Sequence, residues 1–373
     1  MSGSAQQCRL FLTGDLMLAR GIDQIMPHPG NPRLYEPWVK DARDYVQLAE
    51  RRNGPVPRPV EFDYVWGVAL GALSQRQPDL RLVNLETAVT RRGKPQLKGI
   101  HYRMHPANLP VLMSTGIDAC SLANNHVLDW SETGLADTLH HLGIQGLRHA
   151  GAGRDLRSAE APAILALPGE RRLLLFAFAT GDCGVPPEWA ARDDRPGVAR
   201  LDDLSMHSVQ RITRCIAARK RPGDRVVLSL HWGGNWDFAV SAEQRRFAHA
   251  LIDNAGVDVL HGHSSHHIKG IEVYRQRLIL YGCGDLLNDY EGIEGHATYR
   301  GELGLLYFAD LDNEGRLLAL ELLPTRLRRL RLEWAEGEDR RWVQDTLQRE
   351  CARLGCSLHN SGDRGFALDW PMP

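Results

Sequence analysis

Asn125, His126 and Asp129 fall where an apolar, strand-like run (residues 117–122) gives out, and Ser131 with Glu132 reads as the start of a helix. That order predicts a polar group at the carboxyl edge of a sheet, where open α/β folds build their sites. Asn125 has a neutral oxygen to offer a cation. His126 and Asp129 are close enough for the carboxylate to orient the imidazole and raise its basicity. The chemistry read here is an acid–base pair beside a metal ligand.

Four other apolar runs end in the same way. Residues 9–13 lead into Gly14 and Asp15, and residues 80–83 into Asn84, Leu85 and Glu86. Residues 226–230 end in His231, Trp232 and two glycines, while residues 257–260 end in His261, Gly262 and His263, with His266 and His267 beyond. Asp, Glu, Asn and His presented from successive strand ends predict one shared metal site.

With residues 271–274 (Ile-Glu-Val-Tyr) and 280–285 (Leu-Tyr-Gly-Cys-Gly-Asp), this set resembles the CapA family, which is named for poly-γ-glutamate capsule synthesis and belongs to the calcineurin-like metallophosphatase superfamily. The resemblance runs in consistent order from residue 9 to residue 325. It implies an α/β fold, a calcineurin-like four-layer αββα sandwich of two packed sheets with an N-terminal insertion. It also implies that Asp15 is the first metal-binding aspartate and that Glu86 bridges two metals. Asn125, His231 and His263 match ligands of the second metal, His266 completes the set, and His126 with Asp129 acts on the substrate. Met17 departs from this pattern, standing where a histidine is usual, and so does Ser265, where a His or Gln is usual. One of the two metal sites is therefore expected to be weakened or remodelled. The expected cofactor is a divalent ion: Mn, Fe or Zn if the centre is binuclear, Ca or Mg if it is a single oxygen-rich site.

Other segments frame these motifs. Residues 24–61 carry seven prolines around a helical patch at 38–52, which reads as an insertion serving as a lid, a substrate platform or a packing loop. The Pro-, Asp- and Arg-rich loop at 181–200 is placed at the border of the site. Residues 1–330 are read as the catalytic domain and 331–373 as a helical appendage. Arg20 and Arg103 are candidates for holding a substrate carboxylate or phosphate, as is Lys98. His296, among Gly292, Gly295 and Gly301, is expected to supply a second acid–base pair with Asp285 or Asp289. The stretch beginning Gly151-Ala152-Gly153 lacks the third glycine of a dinucleotide fingerprint and reads as a tight connection.

A formal charge of −1 over 373 residues argues against a nucleic-acid binder. Seven cysteines without a C-x-x-C pair read as buried thiols of a reducing compartment. Residues 1–7 are small and polar, and no later run approaches a membrane span, so a cytoplasmic protein is expected. The function expected is metal-dependent His/Asp chemistry on a peptide or polyglutamate-type substrate. Hydrolysis of a phosphoester or amide is placed ahead of peptide Cα epimerisation, a reaction assigned to this family in lasso-peptide pathways, and of a non-catalytic role in capsule assembly.

Overall fold

Alternation decides the architecture. In the strand Arg171–Ala179, Leu173, Leu175 and Ala177 join one core cluster, while Leu174, Phe176 and Phe178 join another. Successive side chains of a strand point to opposite faces, so a strand apolar at every position is covered on both sides. One cover is a second sheet. The other is a helical layer made by Met206–Ala217 and Ala242–Ala255.

A computed structural model describes residues 7–293 and 295–371. The first sheet runs in the order Ser357–Ser361, Gly365–Asp369, Leu317–Arg328, Leu303–Leu311, Cys8–Leu16, Leu80–Leu85, Ala119–Ser121, Arg148–Ala150. The second runs Ile271–Tyr274, Arg277–Leu280, Val259–His263, Arg225–His231, Arg171–Ala179, Ala163–Leu167. Helices Arg43–Asn53, Val68–Arg76 and Ser131–Ile144 bury apolar residues in the first sheet's cluster. This is the expected four-layer sandwich with two packed sheets.

The strands that carry the expected site residues are parallel. Cys8–Leu16, Leu80–Leu85 and Ala119–Ser121 pair in parallel in one sheet, as do Arg171–Ala179, Arg225–His231 and Val259–His263 in the other. Their carboxyl ends meet across the sandwich, where His261 Nε2 lies 2.7 Å from the Thr13 carbonyl. Gly14 is required at this junction: a Cβ there would stand 2.1 Å from the Gly284 carbonyl oxygen. That close approach lets Asp15 N–H donate to the Gly284 oxygen at 2.8 Å and draws the short strand Asp285–Leu287 alongside.

The insertion differs in detail from its sequence pattern. Its helix begins at Arg43, not near Trp38, because residues 34–40 form a tight hairpin closed by Leu34 N–H donating to the Lys40 carbonyl. The region is pinned to the body by Arg20, whose guanidinium is buried between Asp289 and Glu36, with Tyr45 bonded to both Glu36 and Arg20. Arg20, expected to meet a substrate anion, has its fork committed to these two carboxylates. Arg20→Met should cost about 3–5 kcal/mol of stability, since it leaves two carboxylates buried without their cation. Chemical denaturation reads this, and a loss below about 1 kcal/mol would mean that the pair is solvated.

The tail read as a helical appendage holds its helix, Gly337–Ala352, and adds strands to it. Arg331–Trp334 pairs with Leu317–Arg328, and the hairpin of Ser357–Ser361 with Gly365–Asp369 extends the first sheet. The seven cysteines are free thiols, six of them buried. Among the described residues no helix is long and apolar enough to cross a membrane.

Candidate metal centre

Register places the candidate ligands. Across the first sheet Asp285, Asp15, Asn84 and Ser121 are aligned partners, and across the second Ala179, His231 and His263 are. Aligned neighbours share a face, so the two rows confront each other at the carboxyl edge. Glu86 follows one residue after the end of its strand, with its N–H on the Leu16 carbonyl.

Ligand atoms of Asp15, Glu86 and His231 lie within 4.8 Å of one another, all buried. His263 Nδ1–H donates to Asp15 Oδ1 at 2.7 Å, and Asn84 donates to the same oxygen at 2.9 Å. The backbone N–H of Ser264 reaches Asp15 Oδ2 at 3.2 Å. Among the expected ligands, two buried acceptors are left without partners, His263 Nε2 and Asn125 Oδ1. Orphaned atoms of this kind need an explanation, and a cation supplies one. The donor set of carboxylate, amide oxygen and neutral imidazole would suit a divalent metal: Asp15, Glu86 and His231 are the residues whose ligand atoms converge, and Asn125 and His263 are the expected additions.

Electrostatics agree with that fit. Burial pushes Glu86 well above the usual carboxylate range, and the charges of Asp15 and Asp285 push it further. Burial opposes ionisation of Asp15 as well, yet His263 and His231 bring it below its ordinary value. Burial drives His231 down to about 3, so its ring is neutral and free to ligate.

The hydrogen-bonded pair expected to do acid–base chemistry adjoins this cluster. His126 Nδ1 is 2.6 Å from Asp129 Oδ2, and Nε2 is 3.7 Å from Glu86 Oε1. Asp129 is fully buried and held by three donors: His126, the Tyr102 N–H at 2.6 Å and Lys98 Nζ at 2.7 Å. Burial takes His126 down to about 4, with Asp129 opposing. Asn124 builds the turn: its Oδ1 accepts from the N–H groups of His126 and Val127, and its Nδ2 reaches Asn84 and Leu85. The second asparagine of the pair, Asn125, accepts from Lys98 through its backbone carbonyl and keeps its Oδ1 without a partner.

A second imidazole–carboxylate pair stands nearby. His266 Nδ1 is 3.0 Å from Asp285 Oδ1, and Asn288 donates to Asp285 Oδ2 at 3.0 Å. Burial lowers the His266 pKa, but the charge and hydrogen bond of Asp285 outweigh it and the net shift is upward. Tyr102 stacks on His126 at 3.8 Å between centroids, its hydroxyl is 2.5 Å from that of Tyr290, and Tyr290 meets His266 edge-on. The two histidines are thus joined by a pair of tyrosines that no local motif marks.

His296 does not form the pair expected of it. Asp285 is taken by His266 and Asp289 by Arg20, while the exposed His296 ring stacks on Trp236 with centroids 4.0 Å apart. Arg103 lies over the Trp130 ring, 3.6 Å from its centroid, with Asn31 as a hydrogen-bond partner. Met17 is buried against Tyr102 and Ala19. The 181–200 loop does border the site: Gly184 packs on Asn125, and Trp189 lies 5.2 Å from Lys98 Nζ.

Residues 9–290 match the bacterial capsule synthesis protein PGA_cap family. The chain belongs to this family. It is 46% identical over 95% of its length to a probable polyglutamine synthesis accessory protein of Mycobacterium tuberculosis, covering 94% of that protein. The PGA biosynthesis protein CapA of Bacillus subtilis is 27% identical over 81% of the chain and 68% of its own length. The capsule biosynthesis protein CapA of Bacillus anthracis is 28% identical over 76% of the chain and 60% of its own length. The matched span of the PGA_cap family takes in Asp15, Glu86, Asn125, His126, His231, His263 and His266 and stops at Tyr290, the tyrosine beside His266.

Proposed function

We propose that this PGA_cap protein is a metal-dependent enzyme of polyglutamate-type assembly that hydrolyses an amide or phosphoester bond in a peptide or polyglutamate substrate. One observation carries the reading. Buried ligand atoms without partners, His263 Nε2 and Asn125 Oδ1, occur beside the Asp15, Glu86 and His231 cluster and next to a histidine held by a buried carboxylate.

A divalent ion bound by those five residues would supply Lewis acidity and a lowered pKa for attacking water. His126 then has a defined task. Its Nδ1–H is fixed by Asp129, so Nε2 carries the lone pair and takes or returns the proton at the scissile bond. Lys98 and the Tyr102 N–H hold Asp129 in place, and stacking by Tyr102 fixes the plane of the imidazole. Tyr102 covers one face of that ring, which is buried, and so limits water around it.

A second reading, Cα epimerisation of a peptide, is favoured by one specific feature, the His266–Asp285 pair. Removing a proton from one face of a carbon and delivering one to the other needs two carriers, and His126 and His266 are two. His266 takes the part that the sequence assigned to His296.

The test is elemental analysis of the purified protein, followed by mass spectrometry of poly-γ-glutamate and candidate peptides incubated with it in deuterated water. Cleaved product from metal-loaded protein is the expected result. Deuterium gained without cleavage would transfer the assignment to epimerisation. Neither change, with metal bound, would overturn both and leave a non-catalytic accessory role.

A further inference from the structure

We propose that the hairpin tip around Trp38 and the basic loop from Thr90 to Arg103 form a face that docks this protein on an anionic lipid surface. This inference rests on the surface alone and stands apart from the reaction proposed above. Trp38 is 93% exposed at the end of a hairpin closed by the Leu34–Lys40 hydrogen bond of 2.9 Å and an Arg33–Asp41 bridge. Leu97 is fully exposed, and Ile100 and Tyr35 are about two-fifths exposed. Single exposed apolar residues are ordinary, but large ones at the tips of neighbouring loops mark a contact surface.

The two loops share an anchor. Tyr35 of the hairpin packs 5.9 Å from the Trp130 ring, and Arg103 lies over the same ring at 3.6 Å. Gly93 sits so close that a Cβ would be 1.9 Å from the Trp130 carbonyl. Gln96 donates to the Asp129 carbonyl, one residue earlier. Trp130 therefore ties both loops to one rim of the molecule.

Charge identifies the partner. Residues 90–103 contain Arg91, Arg92, Lys94, Lys98 and Arg103 and no carboxylate. Among the described residues, Arg33, Arg91, Arg92 and Lys94 make no ion pair, whereas Lys98 is spent on Asp129. Free cations beside exposed Trp and Leu match an anionic membrane interface, where indole settles at headgroup level and each cation adds attraction. A soluble polyanion would neutralise the cations but leave Trp38 and Leu97 in water. Protruding tips need a soft partner, and a bilayer yields where a folded protein would need matching holes. Attachment of this kind is peripheral.

The experiment is co-sedimentation of the full chain with vesicles of phosphatidylcholine alone or mixed with phosphatidylglycerol. Binding is expected to the mixed vesicles only, weakening as salt rises. Trp38→Ser and Leu97→Ser should each lower partitioning by about tenfold. Replacing Arg91, Arg92 and Lys94 by Gln should lower it by about fivefold per cation removed. Ile144→Ser, at an exposed apolar position on the Ser131–Ile144 helix, should leave binding and melting temperature unchanged. Three results overturn the proposal: no difference between the two vesicle types; binding of soluble poly-γ-glutamate that needs the cations but not Trp38, with no vesicle binding; or a dimer in light scattering that Trp38→Ser dissociates.

Discussion

Replacing His126 by alanine should lower turnover by about two to four orders of magnitude while the protein keeps its fold and its metal. The imidazole is anchored at one nitrogen only. Nδ1–H is spent on Asp129, so the ring presents Nε2 as a base in one orientation, stacked on Tyr102. Burial keeps it neutral near pH 7, because its pKa is pushed down to about 4. Asp129→Asn should cost less, since the Tyr102 N–H remains to hold an amide oxygen where Oδ2 stands and accepts from His126, while the amide NH2 replaces only the Oδ1 that Lys98 contacts. Metal content measured beside the rate decides the roles. If His126→Ala emptied the site, His126 would be a ligand and not the proton carrier.

The strand ends were legible because a parallel sheet buried on both faces writes its strands as unbroken apolar runs, and a polar residue stands out where each run stops. Asp15, Glu86, His231 and His263 stand at or just past such ends, and alignment of parallel neighbours brings them together. What stayed hidden depended on contacts between loops. Asp285 is claimed by His266 because the tight approach of Gly14 to the Gly284 carbonyl draws its strand beside Asp15, a backbone fit with no local signature. The glycines around His296 pointed toward a reaching loop, yet an aromatic from a distant segment, Trp236, holds the ring at the surface.

Charged side chains were the least readable. Arg20, Lys98 and Arg103 look alike in sequence as anion binders, and the structure gives each a different fate. Arg20 neutralises two buried carboxylates, Lys98 supports the Asp129 carboxylate, and Arg103 stacks on Trp130. An arginine's role follows from which carboxylates the fold brings near it, and those lie up to hundreds of residues away, as Asp289 does from Arg20.

Glu86→Gln should remove most of the bound metal and, with it, the metal's contribution to stability. Glu86 and Asp15 are buried with ligand atoms within 4.8 Å of each other, and Asp285 adds a third negative charge to the surroundings of Glu86. Buried carboxylates this close do not all ionise without a compensating cation. Metal held at 100 times its dissociation constant stabilises the native state by about 2.7 kcal/mol, so chelation should lower the wild-type melting temperature measurably. The glutamine variant keeps the shape and removes the cost of keeping Glu86 protonated beside its charged neighbours. Metal-free Glu86→Gln should therefore melt at or above the metal-free wild type, yet gain little when metal is added. The two states of the protein thus respond with opposite signs to one substitution, which a simple packing defect cannot imitate because it would lower both. A variant that bound metal as tightly as wild type, by elemental analysis and by melting shift, would remove Glu86 from the ligand set.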